Sequence, residues 1–197
     1  MTYQILSALI LFAFVSSITP GPNNLMLMAS GANFGLLRTL PHMLGVALGF
    51  VFMAALLALG LTQIFALWPP LHVVLKAVSA VFMLWLAWKI AHAAPPGQAA
   101  ANGRPLSFLQ AAAFQWVNPK AWAMATTAIA AYAPPESPLG GLWVALVFGA
   151  VNLPSISTWV MMGRQIRGVL TSPRRLALFN WTMAALLVAS LWPILRA

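Results

Sequence analysis

Residues 5–28 read ILSALILFAFVSSITPGPNNLMLM, and the interruption in that stretch decides the fold. The run from Ile5 to Ile18 is too apolar for a soluble surface helix. Thr19, Pro20, Gly21, Pro22, Asn23 and Asn24 then break the pattern, and Leu25-Met26-Leu27-Met28 resumes it. A secretory leader would carry a basic start and a small-x-small cleavage site. This run has neither, so it reads as the first half of a membrane helix over residues 4–30 that is broken inside the bilayer.

Composition supports a membrane solvent throughout. Hydrophobic residues make up 62% of the 197 positions and charged ones 6%, where an ordinary globular domain is about 25% charged. A hydrocarbon core of about 30 Å takes roughly 20 apolar helical residues. The apolar runs give spans near 4–30, 41–67, 71–93, 107–132, 139–162 and 176–195. Their stops are Pro69-Pro70, the segment Pro95 to Pro105, and Pro134-Pro135-Glu136-Ser137-Pro138, because proline cannot continue a helix ladder. The expected fold is an all-α integral membrane protein of six transmembrane helices. Residues 1–94 form one three-helix half, 95–105 a cytoplasmic linker and 106–197 the second half. An odd number of spans per half turns the halves upside down relative to each other, as in inverted-repeat transporters.

Ten Lys or Arg face one acid, Glu136. They are scattered between apolar runs, not gathered into a basic stripe, so nucleic acid is not the expected partner; membrane lipid is. Arg38, Lys89, Arg104, Arg164, Arg167, Arg174 and Arg175 fall at connections on one side, against Lys76 and Arg196 on the other. The positive-inside rule then places both termini outside the cytoplasm. Trp68, Trp143 and Trp192 with Tyr3 and Tyr132 fall near outer ends, and Trp88 and Trp181 near inner ones, as interfacial belts do. The chain has no cysteine, which excludes disulfides and thiolate metal sites.

Chemistry concentrates at two places. Backbone groups freed at the Thr19-to-Asn24 break must be satisfied within the protein or by a wet cavity, and broken-helix ends coordinate ions and substrates in transporters; a packing kink is the plainer alternative. In the fourth span, Gln115-Trp116-Val117-Asn118-Pro119-Lys120-Ala121-Trp122 repeats the theme and adds a cation near mid-span. A lysine there costs at least roughly 2.5–3.5 kcal/mol and usually faces a bundle interior or a water path. No span contains an acid, so carbonyls, water or a ligand carboxylate must answer its charge. Asn118 and Lys120 would point about 200° apart on an unbroken helix; a break at Pro119 lets both face one cavity. Gln115, Asn118 and Trp122 share a face by spacing, and Trp116 and Trp122 either wall that cavity or pack in the core.

Helix five adds Asn152-Leu153-Pro154-Ser155 with Ser157 and Thr158, a third polar interruption whose hydroxyls are expected to bond between helices. Gly45 and Gly49 read as a close helix contact. His42 opens helix two, where a solvated residue is the ordinary reading and a proton carrier the sharper one. Asn180 is a weaker polar candidate. No nucleophile, base and orienting acid occur together, so the chain is not expected to be an enzyme, to hold a metal or to need a cofactor.

The two motifs, Thr19-Pro20-Gly21-Pro22-Asn23-Asn24 and Gln115 to Trp122, resemble the LysE-type family of amino-acid exporters, which includes homoserine and threonine efflux proteins. Length, motif spacing and six spans match across essentially the whole chain. The resemblance implies export of amino acids or derivatives across a bacterial inner membrane, driven by the proton motive force. It also marks Pro20, Gly21, Pro22, Asn118, Pro119 and Lys120 as signature positions. Many relatives carry aspartate where Asn23 stands, so the usual acidic coupling candidate is missing, leaving Lys120 and, secondarily, His42. A passive channel for small polar solutes, a membrane scaffold subunit and a homo-oligomeric assembly remain open readings.

Overall fold

The computed structural model describes residues 2–61, 67, 70–93, 104–134, 137 and 139–192. The described residues form seven α-helices: α1 (Tyr3–Ile18), α2 (Pro22–Leu56) running into a π-helical turn (Leu57–Leu61), α3 (Pro70–Ala91), α4 (Phe108–Phe114) with a 3-10 turn (Gln115–Val117), α5 (Pro119–Tyr132), α6 (Gly140–Arg167) and α7 (Pro173–Ala189). Local sequence explains their starts. Pro22, Pro119 and Pro173 stand in the first turns of α2, α5 and α7, where a missing N–H costs nothing. Ser107 and Gln110 exchange the two bonds of a capping box at α4.

The connection expected over residues 31–40 shrinks to one residue. Helix α2 reverses at Gly35, whose φ of 77° and ψ of 177° belong to a region essentially reserved for glycine. Ser30 and Thr39 hydroxyls meet at 2.9 Å across the bend; nine residues of straight helix would separate them by about 13.5 Å. The limbs 22–34 and 36–56 are therefore the end of the first expected span and most of the second.

Helix α6 lies along both limbs, against Gly31 of the first and Val51 of the second. A Cβ on Gly31 would strike the Val160 carbonyl, and one on Gly163 the Met28 carbonyl, so glycines set this approach. Gly45 and Gly49 do the same against α4: their added Cβ atoms would meet Ala111 Cβ at 2.8 Å and Ala112 Cα at 2.5 Å, which is the close contact their spacing predicts. One core gathers Leu9, Ala13, Phe50, Ala121 and Phe148 among α1, α2, α5 and α6, with Phe50 and Phe148 rings 4.7 Å apart. A second gathers Leu27, Met83, Phe114, Val160 and Leu187, and α3 packs on α7.

Among the described residues three helices are long and apolar enough to cross a membrane, Pro22–Leu61, Val73–Ala91 and Gly140–Arg167, and Tyr3–Ile18 is shorter but apolar. Leu37, Val73, Val81, Leu109 and Leu178 are exposed, which suits a lipid solvent. This is a multi-pass helical membrane protein.

Three expectations are corrected. Helix α6 continues unbroken through Pro154 to Arg167, past the expected end at 162. Ser155, Ser157 and Thr158 bond to Val151, Leu153 and Ser155 carbonyls of their own helix at 2.8, 2.7 and 2.6 Å. Those hydroxyls thus bind along the helix, not between helices. His42 is not solvated: the hairpin at Gly35 folds it inward, to 2% exposure. Trp68, Pro69, Pro135, Glu136, Pro138, Arg196 and nearly all of the expected 95–105 linker lie outside the described residues.

Candidate functional site

Pro20 and Pro22 lack the N–H groups that would reach the Ser16 and Ile18 carbonyls, so α1 ends at Ile18 and the chain restarts at Pro22. The freed carbonyls find side chains instead. Asn24 Nδ2 donates to Ser17 O and to Thr19 O, both at 2.8 Å. Trp159 of α6 donates from Nε1 to Ile18 O at 3.1 Å. Lys120 reaches across from α5, its Nζ donating to Thr19 O at 2.5 Å and to Pro20 O at 3.3 Å.

The fourth-span break is built in parallel. Asn118 caps α5, its Oδ1 accepting from Lys120 N at 3.2 Å, and its extended backbone aims the first turn of α5 at the α1–α2 junction. Gln115 is buried and exchanges amide bonds with Asn23: Asn23 Nδ2 donates to Gln115 Oε1 at 2.8 Å and Gln115 Nε2 to Asn23 Oδ1 at 3.3 Å. Gln115 Nε2 also donates to Ala111 O at 2.9 Å. The two interruptions are thus tied by a reciprocal amide pair and by a lysine on carbonyls.

Gly21, Asn23, Asn24, Asn118, Lys120 and Asn152 line one cavity with Phe50 and Ile156. It measures only about 20 Å³, room for one water and not for an amino acid. The lysine stem fills the space beside Gly21: a Cβ there would lie 2.7 Å from Lys120 Cδ and 3.1 Å from Nζ. The junction is therefore closed. Thr19, Pro20, Pro22, Gln115, Pro119 and Trp122 do not line the cavity, and Thr19 and Pro20 are exposed at the periphery. Trp116 and Trp122 pack together, with ring centroids 6.1 Å apart and Trp122 Nε1 donating to Trp116 O at 2.9 Å. His42 lines a different, larger cavity. Sequence reading missed Trp159, which falls near the inner end of the expected fifth span, where a tryptophan reads as an interfacial anchor. Among the described residues no three His, Asp or Glu lie close enough to hold a metal.

Two proline-broken helices joined at a polar junction inside a multi-pass helical bundle are the build of a membrane translocator. The chain belongs to the LysE type translocator family, which it matches over residues 14–191, and it is not an enzyme. A cysteine/O-acetylserine efflux protein of Klebsiella pneumoniae subsp. pneumoniae is 29% identical over 191 residues, covering 95% of each chain. A protein of the same name from Escherichia coli strain K12 is 32% identical over 138 residues, 70% of each chain. No solved structure matches the chain.

Proposed function

We propose that this chain exports small amino acids or their derivatives from the cytoplasm of a bacterium by alternating access, with cysteine and O-acetylserine as the first candidate cargoes. The family and the names of its relatives support the cargo class. The observation that carries the mechanism is Lys120 Nζ seated on the Thr19 and Pro20 carbonyls. Carbonyls so placed form a subsite for an ammonium group, and in the closed junction the lysine occupies it. An incoming zwitterion offers an ammonium for those carbonyls and a carboxylate for Nζ. Substrate would thus insert between lysine and carbonyls, its ammonium taking over the carbonyl contacts while its carboxylate adds a charge-assisted contact to Nζ. Asn23, Asn24, Asn118 and Asn152 supply neutral donors and acceptors around it.

In this reading the limbs of α2, with α1, α3, α4–α5, α6 and α7, make six crossings in two inverted halves, both termini lie outside, and the proton motive force drives export. A carboxylate beside an ammonium favours the charged amine, so departure of substrate can be linked to proton release from Lys120 without a membrane acid. Counterflow of a labelled amino-acid panel in proteoliposomes tests the proposal. Saturable exchange of small zwitterions is expected; equal passage of uncharged polyols would favour a channel, and no flux would favour a scaffold.

A further inference from the structure

A second cavity, of about 300 Å³, opens between the Gly35 hairpin and the end of α3. Its size is at the lower end of the ~300–1,000 Å³ usual for small-ligand sites. Its wall carries Ser30, Asn33, His42, Lys89 and Arg104 among apolar residues such as Met26 and Leu86. Among the described residues, three buried polar atoms here have no partner: His42 Nδ1, His42 Nε2 and Asn33 Oδ1. The Asn33 amide is held in place, its Nδ2 donating to Ala29 O at 2.8 Å and to Asn180 Oδ1 at 3.1 Å, so Oδ1 is left as an acceptor. Lys89 and Arg104 are exposed. Lys89 is backed by the Trp85 ring at 5.3 Å. Among the described residues there is no Asp or Glu to pair with these cations.

Buried orphan polar groups are costly to keep, and a ligand that completed their bonding would remove that cost. Asn33 Oδ1 and one ring nitrogen of His42 are acceptors inside, and with cations at the rim they match an α-amino acid lying with its ammonium inward and its carboxylate outward. We propose that this cavity is a second amino-acid site, on the basic side of the membrane, which receives the zwitterion before it reaches the Lys120 junction. The proposal rests on the export reading for its place in the route, but its ligand chemistry can be tested without transport.

The test is equilibrium binding of radiolabelled L-cysteine, kept reduced, to the full chain in nanodiscs, with cysteamine as the probe lacking a carboxylate. Lys120→Gln should still bind L-cysteine. Lys89→Gln/Arg104→Gln in that background should weaken it by about tenfold or more, as expected for loss of charged hydrogen-bonding groups, and His42→Leu should weaken it likewise. Cysteamine should bind far less tightly than L-cysteine to the Lys120→Gln chain. Five basic residues remain on that side in the double variant, so orientation should hold. The proposal is overturned if Lys120→Gln removes all binding, if the wild-type chain binds no L-cysteine, if cysteamine binds equally, or if the rim and His42 variants bind as tightly as their parent. Lack of export with this binding intact would reject the export reading alone.

Discussion

Gly21→Ala separates the role of the lysine from the role of the break. Gly21 has φ −177° and ψ 176°, extended backbone that alanine adopts freely, so no backbone strain is involved. The three nearest atoms to the added Cβ all belong to Lys120, at 2.7, 3.1 and 3.4 Å. The methyl group therefore shifts the lysine stem and disturbs its seat on the Thr19 and Pro20 carbonyls. A hydrogen bond to a charged group contributes about 1.5–3 kcal/mol, and 1.4 kcal/mol is roughly tenfold, so export should fall about 10- to 100-fold. In a Lys120→Ala background those three contacts are gone, and the same methyl should cost little. The assay is a double-mutant cycle on thermal unfolding, with export from proteoliposomes measured for Gly21→Ala alone. A coupling energy of about 1 kcal/mol or more is expected for residues in such contact. Strictly additive effects would refute the claim that Gly21 acts by seating Lys120.

Three further outcomes follow from the geometry. Gln115→Leu leaves the Asn23 amide without its partner and should cost about 1–3 kcal/mol of stability, whereas Asn23→Leu with Gln115→Leu should recover much of that loss in thermal unfolding. Gly35→Ala forces a side chain into a backbone region reserved for glycine and should cost about 1–3 kcal/mol, read as a lowered unfolding midpoint without a change in substrate preference. Reporter fusions at Gly97 and Ser172 should report cytoplasmic and one after Ala197 periplasmic; a cytoplasmic C-terminus would contradict the six-crossing arrangement.

The two breaks were legible because proline leaves an unmistakable mark in an apolar run: α1 stops at Ile18 and α5 starts at Pro119, as the motifs predict. What joins them was only partly legible. Lys120 without an acid pointed to carbonyls as one option, but the Asn23–Gln115 pair spans 92 residues, a long-range contact that local periodicity does not report. Glycines at Gly45 and Gly49 announced close packing by spacing, while Gly31 and Gly163, one on each partner helix, carried no shared pattern. Pro154 misled in the opposite sense, since Ser155 and Thr158 back-bond within α6 and the helix stays whole. His42 misled because a basic residue at a helix start reads as solvated until the hairpin at Gly35 turns it inward.

The central claim is that Lys120 at the junction of the broken helices receives the substrate. Its most direct measurement is pH-gradient-driven export of L-cysteine from proteoliposomes by Lys120→Gln, beside the wild-type chain inserted at equal density. The variant should insert and unfold near the wild-type midpoint but lose nearly all driven export. Substantial pH-gradient-driven export by Lys120→Gln would contradict it.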